Sequence, residues 1–296
     1  MAGKYHVRSI SLPSISHPCT LRLEEELNKL RIWEATSTST SESISHGLVG
    51  LDDLYNCMDD LLKMTSTQQV LSQHQHEKYV EELLDGSVRL LDICGITREA
   101  TLQIREHVQA LQSALRRRKG DSSIESSINN YTCFRKKMKK DAKKLITALK
   151  QMENKFGASP ALDLDHPLSV VIRVLRQVCA MNVSIFQSLL LFCATPVSKP
   201  KPKPTGWSLV SKMMHKGATA CEEKQEKVNQ MQDVDAAVGT LRRDASSKES
   251  DTEKTQSAHR RLKDLVISIE DLENGLGCVF RRLIKTRASL LNIISQ

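Results

Sequence analysis

Three groups of side chains in this sequence have the types that chemistry requires. Asp52, Asp53, Asp59 and Asp60 crowd one short segment and have the look of a cation site. They alternate, however, with Leu51, Leu54, Tyr55, Met58, Leu61 and Leu62 at helical spacing and lack the Gly-bearing loop of a Ca²⁺ site. A solvated helix face is the expected reading. His74 and His76 stand two apart and diverge by about 200° on a helix, so they cannot share a metal. The eight cysteines (19, 57, 94, 133, 179, 193, 221 and 278) form no CxxC pair, and several sit among apolar residues as small hydrophobes. Phosphate-cradling glycine loops, GxSxG and HExxH are absent. No catalytic residue, metal or cofactor is expected, and the chain reads as a non-enzyme.

Two recognition signals remain. The first is basic: Arg116, Arg117, Arg118 and Lys119, then Arg135, Lys136, Lys137, Lys139, Lys140, Lys143 and Lys144. A solvated helix face is the plain reading; nuclear import and anionic lipid are the alternatives, with nucleic acid the weakest because few aromatics interleave the charges. The second is Arg8-Ser9-Ile10-Ser11-Leu12-Pro13, which has the spacing of a phosphoserine docking site for a 14-3-3 protein, with Ser11 as acceptor.

These residues ride on helices. Residues 1–20 read as a disordered head in which Pro13 and Pro18 delay the first helix until Thr20. The head is Ser-rich and acid-free like a transit peptide, but it lacks an amphipathic arginine helix. A single helical domain over 21–296 follows, with flexible connectors expected near 36–46, 196–206 and 246–256 and a break near Gly95. The basic element 116–155 carries its own apolar seam: Ile124, Ile128, Tyr131, Met138, Ala142, Leu145, Leu149, Met152 and Phe156. Leu262, Leu265, Ile269, Leu272, Leu276, Val279 and Leu283 make the most regular seam, interrupted by Gly275 and Gly277, which suggest a close contact or a kink. Residues 177–198 are uncharged and long enough to cross a bilayer. A polar stripe of Ser169, Arg173, Arg176, Ala180, Ser184 and Gln187 instead suggests a core helix with one edge near water.

Aromatics make up 4% of the 296 residues and glycine and proline are few, which disfavours turn-rich β architecture. The fold class expected is all-α, an elongated antiparallel helical bundle of about five to seven helices behind the head. Residues 116–155 hold a net +9 of the chain's +8, so the remainder is nearly neutral. The protein is thus not a general polyanion binder. Isolated cysteines and the lack of a secretory segment suggest a reduced, cytoplasmic protein, with nuclear or membrane-associated placement as alternatives.

The head HVRSISLPSISHP (6–18), LDDLYNCMDDLLKM (51–64) and the tail LENGLGCVFRRLIKTRASLLNIIS (272–295) resemble the plant BYPASS-like family. That resemblance implies a helical plant protein associated with root and shoot development and supplies no catalytic residues. The expected function is therefore regulatory or scaffolding, through protein partners. The alternative is a peripheral or inserted membrane protein using the basic helix 116–155 and the apolar helix 168–195. If the Ser11 motif is a docking site, a phosphorylated peptide 5–18 will retain 14-3-3 proteins in a pulldown and its Arg8→Ala version will not; equal retention marks the motif as coincidence.

Overall fold

A computed structural model describes residues 18–117, 121–158, 168–194, 229–243 and 251–296. Those residues form eight helices and no strand: α1 (Pro18–Thr36), α2 (Ser41–Lys63), α3 (Thr65–Gln73), α4 (Lys78–Arg117), α5 (Asp121–Ala158), α6 (Ser169–Ala194), α7 (Gln230–Arg243) and α8 (Asp251–Ile294). The all-α expectation holds, with a short α3 beyond the number foreseen. At 1.5 Å per residue, the 40 residues of α4 and 44 of α8 give rods of about 60 and 66 Å, which make the bundle elongated.

The α8 seam is the inner wall. From Leu262 to Val279 its seven-residue pattern leaves Leu262, Leu265, Ile269, Leu272, Leu276 and Val279 without exposed surface. Buried Thr286 fills the step between Leu283 and Leu290, so the stripe continues to Ile293. Helices α2 and α4 flank this seam, and α6 closes the square by packing on both. The registers give directions. Arg287 reaches Leu84 O, Cys94 lies on Leu276 O and Arg105 meets Glu273, so α4 and α8 are antiparallel. Asp52 pairs with Arg282 and Asp59 with Lys285, so α2 and α8 run parallel. The packing is therefore mixed: chain-adjacent α1/α2 and α4/α5 are antiparallel, as short connections require, whereas helices distant in sequence are not so constrained. Beyond this square, α5 packs on α4 and α6, and α7 packs on α8 and on α5.

Several expected breaks are helix. Pro18 opens α1 instead of delaying it, because the first helical position needs no N–H donor. The Ser/Thr tract is a connection only over 37–40: Thr40 caps α2, its Oγ1 accepting from Ser43 N, and the stripe starts at fully buried Ile44. Gly95 lies inside the unbroken α4, where its neighbours supply the packing. Residues 251–256, expected to be a connector, are already helical in α8. The expected head residues 1–17 and the connector 196–206 lie outside the described residues.

Two glycines separate contact from coincidence. A Cβ on Gly47 would lie 2.7 and 2.8 Å from the Trp33 ring, itself fixed by Nε1 donating to Ser43 O at 2.7 Å. A Cβ on Gly277 would meet nothing closer than Arg281 at 3.7 Å, whereas one on Gly275 would press on Leu48 at 3.0 Å. The close α2/α8 approach thus belongs to Gly275, and α8 continues through both. Gly47→Ala is expected to destabilise by about 1–3 kcal/mol through overpacking. Gly277→Ala should stabilise by up to about 1 kcal/mol through helix propensity. Urea unfolding of the two variants checks both signs.

Candidate functional site

Burial decides what each charge can do. Arg135, expected on the solvated basic face, is 3% exposed. Its Nε and Nη2 donate to both carboxylate oxygens of Asp235 at 2.9 Å, and Nη1 donates to Cys193 O at 2.8 Å. Lys139 and the Tyr131 hydroxyl donate to the same carboxylate, each at 2.9 Å. The bidentate geometry satisfies a guanidinium taken out of water, which an unpaired one could not survive. Neighbouring Asn229 starts α7: its Oδ1 accepts from Met231 N and its Nδ2 donates to Phe192 O. Together these groups lock α5, the end of α6 and α7.

The electrostatics follow from that enclosure. Burial pushes the Asp235 carboxyl up, but the hydrogen bonds and charge of Arg135 and Lys139 outweigh it and hold the group below its ordinary value. Burial, with Asp235 beside it, raises the Tyr131 phenol well above 10, so it remains a donor. Burial also pushes the thiols of Cys94, Cys179 and Cys193 up to about 12, which keeps them protonated and unreactive. Asp59, read as solvated, is likewise enclosed at 6% exposed and meets Lys285 and Arg282 of α8; Asp52 takes the Arg282 fork. The aspartate face is thus a seam between α2 and α8 rather than a purely solvated surface.

What remains of the basic signal is sorted by the fold. Lys136, Lys137, Lys140, Lys143 and Lys144 are exposed on one side of α5, with Lys144 reaching Asp141 at 3.2 Å. Arg116 and Arg117 are exposed at the end of α4, so the element expected as one helix over 116–155 is split between two. Arg118, Lys119, Arg8, Ser11 and Pro13 lie outside the described residues. Beside the lysine face an open cleft of about 230 Å³ separates α4 from α5, lined by Ile96, Ala100, Phe134, Met138 and Leu145 among others. Among the described residues no group of three or more His, Cys, Asp or Glu could hold a metal.

Asp235 is the residue that sequence reasoning missed. Its one signal was an acid set between Val234 and Ala236-Ala237-Val238 on an otherwise apolar helix face. Because its folded pKa is depressed, the stability it contributes is complete above about pH 4 and is lost as pH falls through the folded value. Asp235→Asn should cost roughly 3–5 kcal/mol at pH 7 and flatten the acid limb of stability below about pH 4. The Arg135→Met, Asp235→Leu pair should recover most of that loss. Urea unfolding from pH 2 to 7 measures both.

The family model described as Protein BPS1 matches residues 47–293, from within α2 almost to the end of α8. No curated protein and no solved structure matches the chain. The match spans the α2/α8 ion pairs, the Arg135–Asp235 lock and the lysine face alike: the chain belongs to the BPS1 family, the BYPASS-like group.

Proposed function

We propose that the protein is a non-enzymatic regulatory or scaffold protein that acts through protein partners, in root and shoot development as the family resemblance implies. The observation that carries this reading is the division of charge on α5. Arg135 and Lys139 are committed to Asp235 inside the fold, whereas five neighbouring lysines face water along one side, with Lys137 at the lip of an open cleft. Cations that stabilise nothing inside the fold are available to a partner, and clustered cations speed and orient its encounter. A cytoplasmic location accords with this reading, and phosphorylated Ser11 would offer a separate route to a 14-3-3 partner.

The membrane reading starts from α6, which is long and apolar enough to cross a bilayer, but 61% of its most apolar window is buried inside the bundle. Asn182 sits in its middle at 0% exposed, and α2, α4 and α5 cover the helix. Withdrawing α6 into lipid would strip the apolar faces of those three helices, so insertion is the weaker reading. Adsorption through α5 alone would leave a protein that high pH releases.

Two measurements in seedlings test the proposal. Full-length tagged protein should leave membranes in a carbonate wash; retention in the pellet would contradict it. Affinity purification with mass spectrometry should recover a defined partner set that Lys136→Glu, Lys140→Glu, Lys143→Glu together deplete. A purification that yields no protein beyond those of an untagged control would count against a scaffold.

A further inference from the structure

The cleft between α4 and α5 continues past Phe134 into a second opening of about 560 Å³ beside His107, Ala110 and Cys133; the two share Gln103, Phe134 and Lys137. The floor is apolar along Ile96, Ala100, Phe134 and Met138 and becomes mixed at the second opening, where Ser127 and Asn130 join it; His107 stacks on Phe134 with ring centroids 4.0 Å apart. From Ile96 to Leu111 the groove follows α4 for about 22 Å, the length of an α-helix of about four turns. One rim is strongly basic. At about 100° per residue, Lys137 and Lys144 stand beside Phe134 and Asp141 at the groove edge, and Lys140, Lys136 and Lys143 follow around α5. The acids at the rim already have partners, since Asp141 accepts from Lys144 and Glu99 from Gln103.

We propose that this groove is the docking site of an acidic amphipathic helix from a partner protein, its apolar stripe over Phe134 and Ile96 and its carboxylates against Lys137 and Lys140, with Lys144 shared between Asp141 and the partner. The inference rests on the scaffold reading above and names the chemistry of the partner. The shape selects a helix over the other polyanions. A bilayer is too flat to fill a concave cleft, and among the described side chains of α5 none is an exposed large apolar one that could insert into it. Nucleic acid would leave the apolar floor unused. An amphipathic helix satisfies both halves of the site, as helix-in-groove recognition does generally.

The test uses the full-length protein and a dye-labelled synthetic 18-residue helix with a leucine stripe flanked by glutamates, read by fluorescence anisotropy. A scrambled peptide of the same composition and phosphatidylcholine–phosphatidylserine vesicles are the comparisons. Lys137→Glu, Lys140→Glu, Lys144→Glu together should weaken binding about tenfold or more. Gln103→Trp blocks the groove from an exposed position without changing charge and should weaken it as much; Ala110→Trp, also exposed, is a second block if the first misfolds. The scrambled peptide should bind at least about tenfold more weakly, because it cannot present an apolar stripe. Equal binding of both peptides, or indifference to both tryptophan blocks, reduces the interaction to nonspecific charge attraction and overturns the proposal. Vesicle binding without peptide binding overturns it in favour of a membrane surface. Failure of peptide binding while the protein keeps its seedling partners would remove this site and leave the scaffold reading standing.

Discussion

Leu262, Leu265, Ile269, Leu272, Leu276 and Val279 lose all contact with water, and one helix can hide such a stripe only if others flank it along its length. That requirement arranges the rest of the molecule. At about 25 cal/mol per Å² of apolar surface, each such side chain favours the packed state by about 1.5–3 kcal/mol before the entropy of ordering is set against it. Helix α8 is long enough to need two sets of neighbours: α2 and α4 along its C-terminal half, and α7 with the rest of α4 along its N-terminal half. Helix α6 then closes over α2 and α4, and α5 over α4 and α6. Gly275 lets α2 come close enough for Leu48 to reach α8 backbone, so the small residue in the seam is a point of tight approach.

Polar groups drawn into this packing are held by partners from other helices. Arg135, enclosed by the fold of α5 against α6 and α7, has its donors distributed between the Asp235 carboxylate and Cys193 O. Asp59 is enclosed between α2 and α8 and meets Arg282 and Lys285. Such pairs contribute less to net stability than their geometry suggests, because desolvation offsets attraction. Their stronger effect is on register: a one-turn slip of α5 along α7 would leave Arg135 or Asp235 buried and unpaired. The thiols held protonated by burial fit the same account, as space-filling groups in the core.

The periodicity of apolar residues carried most of the architecture, because burial imposes a 3–4 spacing that needs no knowledge of partners. The α8 seam and the polar edge of α6 were legible for that reason; Arg173 and Ala180 are indeed exposed there. The errors have a common cause. Arg135 and its partner are 100 residues apart, and Asp59 and Lys285 are 226 apart, so nothing local marks those charges as buried. Gly95 and the Ser/Thr tract suggested breaks, yet propensity is a weak prior that a packed face overrides, and Ser and Thr serve as caps as readily as linkers. Of the candidate site, the lysine run was visible in the sequence. Which lysines remain in water, and the groove beside them, required the tertiary fold.

The functional consequence is a separation of roles within one charged helix. Its inner cations hold the bundle together, and its outer ones stay in water beside the α4/α5 groove, where the proposed partner would meet them. This account depends on α8 being the axis on which the other helices are assembled. Hydrogen exchange along the full-length protein tests that most directly. The amides of α8 from Leu262 to Leu283 and the facing α4 segment from Leu90 to Leu111 should exchange last, only through global unfolding, with α1 opening earlier. Exchange of the α8 core through local opening, ahead of α1 or α2, would contradict it.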